Sequence, residues 1–291
     1  MTVTEARLSD LTALIRAPAA LSIPGDTLVG MTATGQPIPP RALGMMASSV
    51  CIYWAGMALN DYADATIDAV ERPQRPIPSG RVSRRTAFVV ATTLTGAGLV
   101  LAGLSGGRRG LVVSTALAAL VWAYDLKLKS TPAGAVAMAG TRTLDVLAGA
   151  ATVGSARAGL GSALVVGAHT YTLMMLSRHE VSGAPAWVPA STLAGTAGIA
   201  LAAALPVTPR SSRVGTALSA AVYLGAYGGA QATAVRAPND SNIRNAVAAG
   251  ILGTMPLQAT LVARTGAGLT ALALAILHRL ARRLSGRVSA T

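Results

Sequence analysis

A chain of 291 residues with one phenylalanine, one cysteine, three histidines and eleven acidic side chains is poorly equipped to be a soluble enzyme. Charged residues make up 12% of it, against about a quarter in ordinary soluble domains. Cys51, the lone cysteine, lies in an apolar run, which excludes an intrachain disulfide and a cysteine metal cluster and leaves a buried, inert thiol. Aromatic residues are 3% of the chain, so the aromatic belts common at membrane surfaces must be sparse. The scarcity of acids leaves a net charge of +13, a value that in a soluble protein would suggest a nucleic-acid partner. Here the basic residues sit between apolar segments and not on one face, so no nucleic acid is expected.

What the chain has is apolar length. Hydrophobic residues are 52% of the sequence and the mean hydropathy is +0.52. Stretches near the roughly 20 residues needed to cross a bilayer recur at 10–31, 42–64, 86–104, 110–124, 133–153, 158–177, 186–206, 214–235, 246–263 and 265–278. They leave no room for a soluble domain, so residues 1–291 are expected to form one membrane domain. Residues Met1 through Asp10 lack a basic start and a cleavage site, so 10–31 reads as a spanning helix and not as a signal peptide. With 31 glycines, helices must meet through small side chains, because lipid removes the hydrophobic drive between them. Linkers near 65–85, 125–132, 178–185 and 236–244 hold more arginine and lysine than the opposite set, with its Arg41, Arg108, Arg109, Arg157, Arg210, Arg213 and Arg264. That bias places the N-terminus in the cytoplasm, and the basic C-terminal residues Arg279, Arg282, Arg283 and Arg287 would then favour ten crossings.

Four of the eleven acids, Asp61, Asp64, Asp68 and Glu71, fall in NDYADATIDAVERPQRPIPSGRVS. Asn60, Asp64 and Asp68 are four apart, so a helix stacks them on one face. Carboxylates this close repel unless a cation or strong donors stand between them, and oxygen ligands of this kind suit Mg²⁺, which prefers a few carboxylates plus water and substrate phosphates. Pro73 ends the helix at Arg72. The run 75–80 is then a stiff extended turn that returns Arg72, Arg75 and Arg81 to the acids. Arginine offers bidentate donors to phosphate, so metal-holding acids beside phosphate-holding arginines describe a diphosphate site. The plain alternative is a charged loop with internal ion pairs.

These residues resemble the UbiA superfamily of intramembrane prenyltransferases, whose signature NDxxDxxxD with a basic loop ending RPxPSG is matched by Asn60, Asp61, Asp64, Asp68, Arg72, Arg75, Pro76, Pro78, Ser79 and Gly80. Tyr124, Lys127, Lys129, Thr131 and Pro132 match a second feature, YxxxK followed by TP. The pattern looks most like the EboC-like branch. Resemblance implies an all-α polytopic bundle of about nine spanning helices around a central cavity, with its polar mouth and N-terminus cytoplasmic; nine crossings would leave 243–263 short of a full passage. It also implies Mg²⁺ held by Asn60, Asp64 and Asp68 and a prenyl diphosphate bound by Arg72, Arg75, Tyr124 and Lys129.

The chain departs from the family where a second acidic motif, DxxxD, is usual: 176–182 reads LSRHEVS, with Glu180 its one acid. Glu180 is the remaining candidate metal ligand there, or else it neutralises Arg178, and Arg178 is a candidate for direct phosphate contact. His179 beside them reads more simply as a solvated helix-end residue. Arg142 and Asp145 share a face of an apolar segment, where charges are costly unless paired or turned to a wet cavity. They read either as a buried ion pair or with Asp145 as a catalytic group on the acceptor side. Gln231, Asn239, Asp240, Asn242 and Arg244 read as a turn and helix cap. The expected reaction is ionisation of an allylic diphosphate, with Asp64 and Asp68 central and capture of the prenyl cation by an unknown acceptor in a lipid-bounded cavity. Terpene cyclisation is the runner-up, weakened by the few aromatic faces available to steer cations. A non-catalytic prenyl-lipid binder is the third reading.

Overall fold

A computed structural model describes residues 7–208 and 213–288; Met1 to Ala6, and Arg210 of the loop comparison, lie outside them. The described residues form helices and connecting turns with no strand. In chain order the helices are α1 Leu8–Leu14, α2 Ile23–Ala33, α3 Ala42–Ala63, α4 Ala65–Glu71, α5 Arg84–Ala123, α6 Gly134–Val153, α7 Ala156–Ser177, α8 Trp187–Ala204, α9 Arg213–Tyr223, α10 Gly229–Arg236, α11 Asp240–Ala263 and α12 Gly268–Val288. Among the described residues five stretches are long and apolar enough to cross a membrane: Ala42–Ala63, Arg84–Leu128, Ala156–Ser177, Trp187–Ala204 and Asp240–Ala263.

The stretch beginning at Arg84 is two legs. The Trp122 indole donates to Thr95 Oγ1 at 3.1 Å, and the Phe88 and Trp122 rings are 5.9 Å apart. In a straight helix those 27 residues would span about 40 Å. The reversal occurs at Gly107, whose φ of 58° and ψ of −155° lie outside the helical region. Only glycine takes such a conformation without a steric penalty. The two apolar stretches 86–104 and 110–124 are therefore the arms of an antiparallel hairpin.

The first expected span, 10–31, is not one helix. Arg16 adopts a left-handed backbone (φ 48°, ψ 52°), a 3₁₀ turn fills Ala17–Ser22, and α2 restarts with Pro24 in its first turn. At the other end of the chain, 243–263 lies within α11, whose 24 residues are about 36 Å long and so are not short of a crossing.

Two packing groups share α6 and α7. Helix α3 lies along both arms of α5, and these pack on α6. Helix α11 is the most enclosed, surrounded by α7, α8, α9, α10, α12 and α2. The tightest approach joins α2 and α6: a Cβ on Gly30 would stand 1.8 Å from the Val146 carbonyl oxygen, and one on Gly149 would stand 2.1 Å from that of Thr27. Glycine at both positions lets the two backbones touch, the contact that substitutes for hydrophobic drive in lipid.

Candidate functional site

Helix α3 ends at Ala63 and Asp64 leaves helical geometry (φ −89°, ψ 5°), yet the backbone connection continues through the break. Asp64 N–H bonds Asn60 C=O at 2.9 Å, Asp68 N–H bonds Asp64 C=O at 2.8 Å, and Arg72 N–H bonds Asp68 C=O at 2.9 Å. Asn60, Asp64, Asp68 and Arg72 are therefore stacked in one line, as their spacing predicts.

The first three members of the line each have a partner. Asn60 Nδ2 donates to Asp125 Oδ1 at 3.1 Å, Asp64 Oδ1 meets Lys129 Nζ at 2.6 Å, and Asp68 Oδ2 meets Arg75 Nη1 at 2.7 Å. The first two partners come from the end of α5, where Tyr124–Leu128 form a π turn closed by Lys129 N–H on the Tyr124 carbonyl at 3.0 Å. Such widened turns recur at functional sites, and this one carries Asp125 and Lys129, four apart, to face Asn60 and Asp64, also four apart. The result is a ladder whose first two rungs join two helix ends and whose third, Asp68–Arg75, closes within α4 and the coil after it.

Asp61 stands behind the ladder. Its buried carboxylate holds Arg16 at 2.9 Å and Arg75 at 3.2 Å, so Arg75 Nη1 is shared between Asp61 and Asp68. Asp61 thereby fixes the arginine that faces the ladder.

Several expected positions differ. The run 75–80 is not extended: it coils through bonds from Ser79 N–H to Arg75 C=O, from Gly80 N–H to Ile77 C=O and from Val82 N–H to Pro76 C=O, with Gly80 at φ 74°. That coil keeps Arg75 on the acids but sends Arg81 away to Asp10 at 3.1 Å. Arg178 donates to the Thr131 and Pro132 carbonyls at 2.9 and 3.3 Å, and within electrostatic reach it has Tyr124. It is not neutralised by Glu180, whose carboxylate stands near Arg72 and Arg244. Burial pushes the Glu180 carboxyl above its ordinary pKa, and those two arginines oppose the rise.

Asp145 is not brought to the ladder. It accepts a short hydrogen bond from Ser49, and Ser49 precedes Asn60 by eleven residues, about 16 Å along α3. Nor does Arg142 pair with it directly: Arg142 Nε meets Asp26 Oδ2 at 2.9 Å, and Gln258 Nε2 donates to Asp26 Oδ1 at 2.7 Å. Asp145 and Asp26 belong to a buried network that ties α2, α3, α6 and α11 together. Four of the five residues expected to form a turn and cap do so: Asn239 accepts from Asn242 N–H at 2.9 Å and Asp240 pairs with Arg244 at 2.8 Å, whereas Gln231 lies inside α10 with its side chain buried.

Sequence reasoning missed Arg16 and Asp125 as contributors, and it placed Asp61 in the motif without giving it a role. A signal existed for Asp125, whose spacing of four from Lys129 mirrors that of Asn60 and Asp64. None existed for Arg16, which reaches Asp61 across 45 residues only because the chain breaks at its left-handed backbone.

Among the described residues no three acids or histidines gather into a metal cage. The donor set nevertheless fits Mg²⁺, since Asp64 and Asp68 supply two carboxylates on one line and Asn60 a carboxamide, and Mg²⁺ takes one or two carboxylates and completes its shell with water and substrate phosphate.

A sequence profile described as the UbiA prenyltransferase family matches residues 23–287. The chain is 42% identical over 88 residues to a digeranylgeranylglyceryl phosphate synthase of Methanopyrus kandleri, a match covering 30% of this chain and 31% of that protein. In three dimensions it is similar to a UbiA homolog from Aeropyrum pernix, with a TM-score of 0.66 and 20% identity over 87% of this chain and 96% of that one. It is also similar to a UbiA homolog from Archaeoglobus fulgidus bound to GPP and Mg²⁺, with a TM-score of 0.55 and 12% identity over 90% of this chain and 99% of that one.

Proposed function

The chain belongs to the UbiA prenyltransferase family, and from that premise we propose that it ionises an allylic prenyl diphosphate within the membrane and passes the prenyl group to an acceptor. The ladder Asn60–Asp125, Asp64–Lys129, Asp68–Arg75 is the observation that carries this reading. Two of its rungs are ion pairs without ligand, and a diphosphate can exchange partners with Lys129 and Arg75. Lys129 and Arg75 turn to the phosphate oxygens while Asp64 and Asp68 are released for a cation. Asn60, Asp64 and Asp68 would hold Mg²⁺, which when bound would supply positive charge to offset that on the departing diphosphate. Arg75 is held in place by Asp61, so its donor is positioned before the reaction begins. Arg72, at the end of the same line, and Arg178 and Tyr124, across from it, are assigned to the outer phosphate oxygens. The apolar interior keeps water from the allylic cation once the bond to diphosphate has broken.

Glu180 is assigned a lesser part than Asp64 or Asp68, because it stands alone and facing arginines. Asp145 is assigned no step, since its network lies well away from the ladder along α3. The mouth is assigned to the cytoplasmic side on the charge of its linkers, and residues 1–291 to one membrane domain. For the acceptor, the name of the sequence relatives makes a glyceryl phosphate lipid the first to try. The EboC-like look of the motifs makes other hydroxyl acceptors the second. Purified protein incubated with geranyl diphosphate and Mg²⁺, with and without membrane extract, tests the reading. A prenylated product formed only with extract supports transfer; a cyclised product without extract identifies the alternative chemistry; neither product, with diphosphate bound intact, reduces the protein to a binder.

A further inference from the structure

The end of the bundle away from the ladder carries a second charged feature. Arg41, at the start of α3, and Asn60 are nineteen residues apart, about 28 Å along the helix, which matches the hydrocarbon thickness of a bilayer. At that far end a cavity of about 620 Å³ is lined by Arg108, Arg109 and Arg157 over a floor of Val112, Val113 and Ala151. Arg108 and Arg109 follow the hairpin bend at Gly107, and Arg157 opens α7. Arg41 Nη2 and Arg109 Nη1 donate to the Thr152 and Gly154 carbonyls at 3.2 and 3.5 Å, which draws both side chains to the α6–α7 turn beside the cavity.

None of the ion pairs among the described residues involves Arg41, Arg108, Arg109 or Arg157, so three positive charges line the cavity, with Arg41 on the adjoining turn, without a protein counter-charge. Exposed like charges repel only weakly in water, but guanidinium groups gathered on one cavity offer an anion several charge-assisted donors at once. The floor is apolar, and Val112 on it is exposed, which suits an acyl chain below a charged headgroup and does not suit a free ion. We propose that Arg41, Arg108, Arg109 and Arg157 bind the phosphate of an anionic phospholipid at the membrane surface opposite the acidic ladder, with one acyl chain along Val112 and Val113.

The test is native mass spectrometry of the full chain in detergent with added phosphatidylglycerol or phosphatidylcholine of the same acyl composition. The expected result is a phosphatidylglycerol adduct that the triple variant Arg108→Gln, Arg109→Gln, Arg157→Gln weakens at least about tenfold in concentration. A second triple variant at the ladder end, Arg85→Gln, Lys127→Gln, Arg236→Gln, removes equal charge and should weaken it less than about twofold, in line with a site rather than a general field. Equal losses in the two triple variants, equal retention of phosphatidylcholine, or displacement of the lipid by millimolar inorganic phosphate would each overturn the proposal. Retention of fold in both variants is read from the same spectra as the compact charge envelope, and a variant that unfolds is replaced by the single change Arg109→Gln, for which a loss of about threefold or more is expected and no loss refutes the site.

Discussion

Replacing Asp64 with asparagine keeps the size of the side chain and removes one charge from the middle rung of the ladder. Two consequences can be separated. Without ligand, Lys129 loses the carboxylate 2.6 Å away, but the two side chains retain 22% and 18% exposure, so water recovers part of the interaction. The stability loss should lie between that of a surface pair and that of a buried one, roughly 1–2 kcal/mol. With ligand, the loss is a charged cation ligand next to the departing diphosphate. About 2.7 kcal/mol of lost transition-state stabilisation corresponds to a hundredfold fall in turnover, so product formation should drop by about 10²-fold or more. The assay is release of inorganic diphosphate from geranyl diphosphate at saturating Mg²⁺ with membrane extract as acceptor source, alongside chemical unfolding in the same detergent. Lys129→Met in the Asp64→Asn background should restore much of the stability and none of the turnover, because the orphaned ammonium is gone while the cation ligand is still missing. If Asp64→Asn turns over within a few-fold of the parent, the ladder is a structural ion-pair array and the diphosphate assignment must be abandoned.

Glu180→Gln should cost no more than about tenfold in the same assay, an order of magnitude less than Asp64→Asn; equal damage would make the 176–182 region a full metal site. The same variant tests the raised carboxyl pKa: the folded state holds the Glu180 proton more tightly than the unfolded chain, so stability from this group falls as pH rises from the ordinary glutamate value through the raised one, and the glutamine variant should lack that decline in urea titrations across the window. Asp61→Asn removes a buried carboxylate shared by Arg16 and Arg75 and should destabilise by about 2–4 kcal/mol by chemical unfolding; a change below half a kcal/mol would refute its anchoring role. Gly149→Ala places a methyl 2.1 Å from the Thr27 carbonyl, forcing α2 off α6 at a cost of about 1–3 kcal/mol, and a melting temperature equal to the parent's would show that the helices do not touch there. In a Cys51→Ser background, cysteines at Ser79, Ser130 and Ser182 should label from one side of the membrane and one at Gln36 from the other; common labelling of positions 79 and 36 would overturn the topology.

The helical membrane character and the acidic line were legible from residue chemistry alone, because both depend on short-range rules. A run of apolar residues has no place in water, and a spacing of four places Asn60, Asp64 and Asp68 in register through consecutive backbone hydrogen bonds, which here survive the break at Asp64. What each acid faces depended on the meeting of distant segments. Spacing cannot show that a reversal at Gly107 brings the end of α5 back beside α3, so that Asp125 and Lys129 meet Asn60 and Asp64. Nor can it show that a left-handed Arg16 ends the first apolar stretch early and turns its guanidinium to Asp61. Arg142 and Asp145 are the sharpest case. Sequence adjacency on one helix face suggested each as the other's partner, but a buried charge goes to whichever counter-charge packing brings closest, and the glycine contact between α2 and α6 brings Asp26 to Arg142 and leaves Asp145 to Ser49.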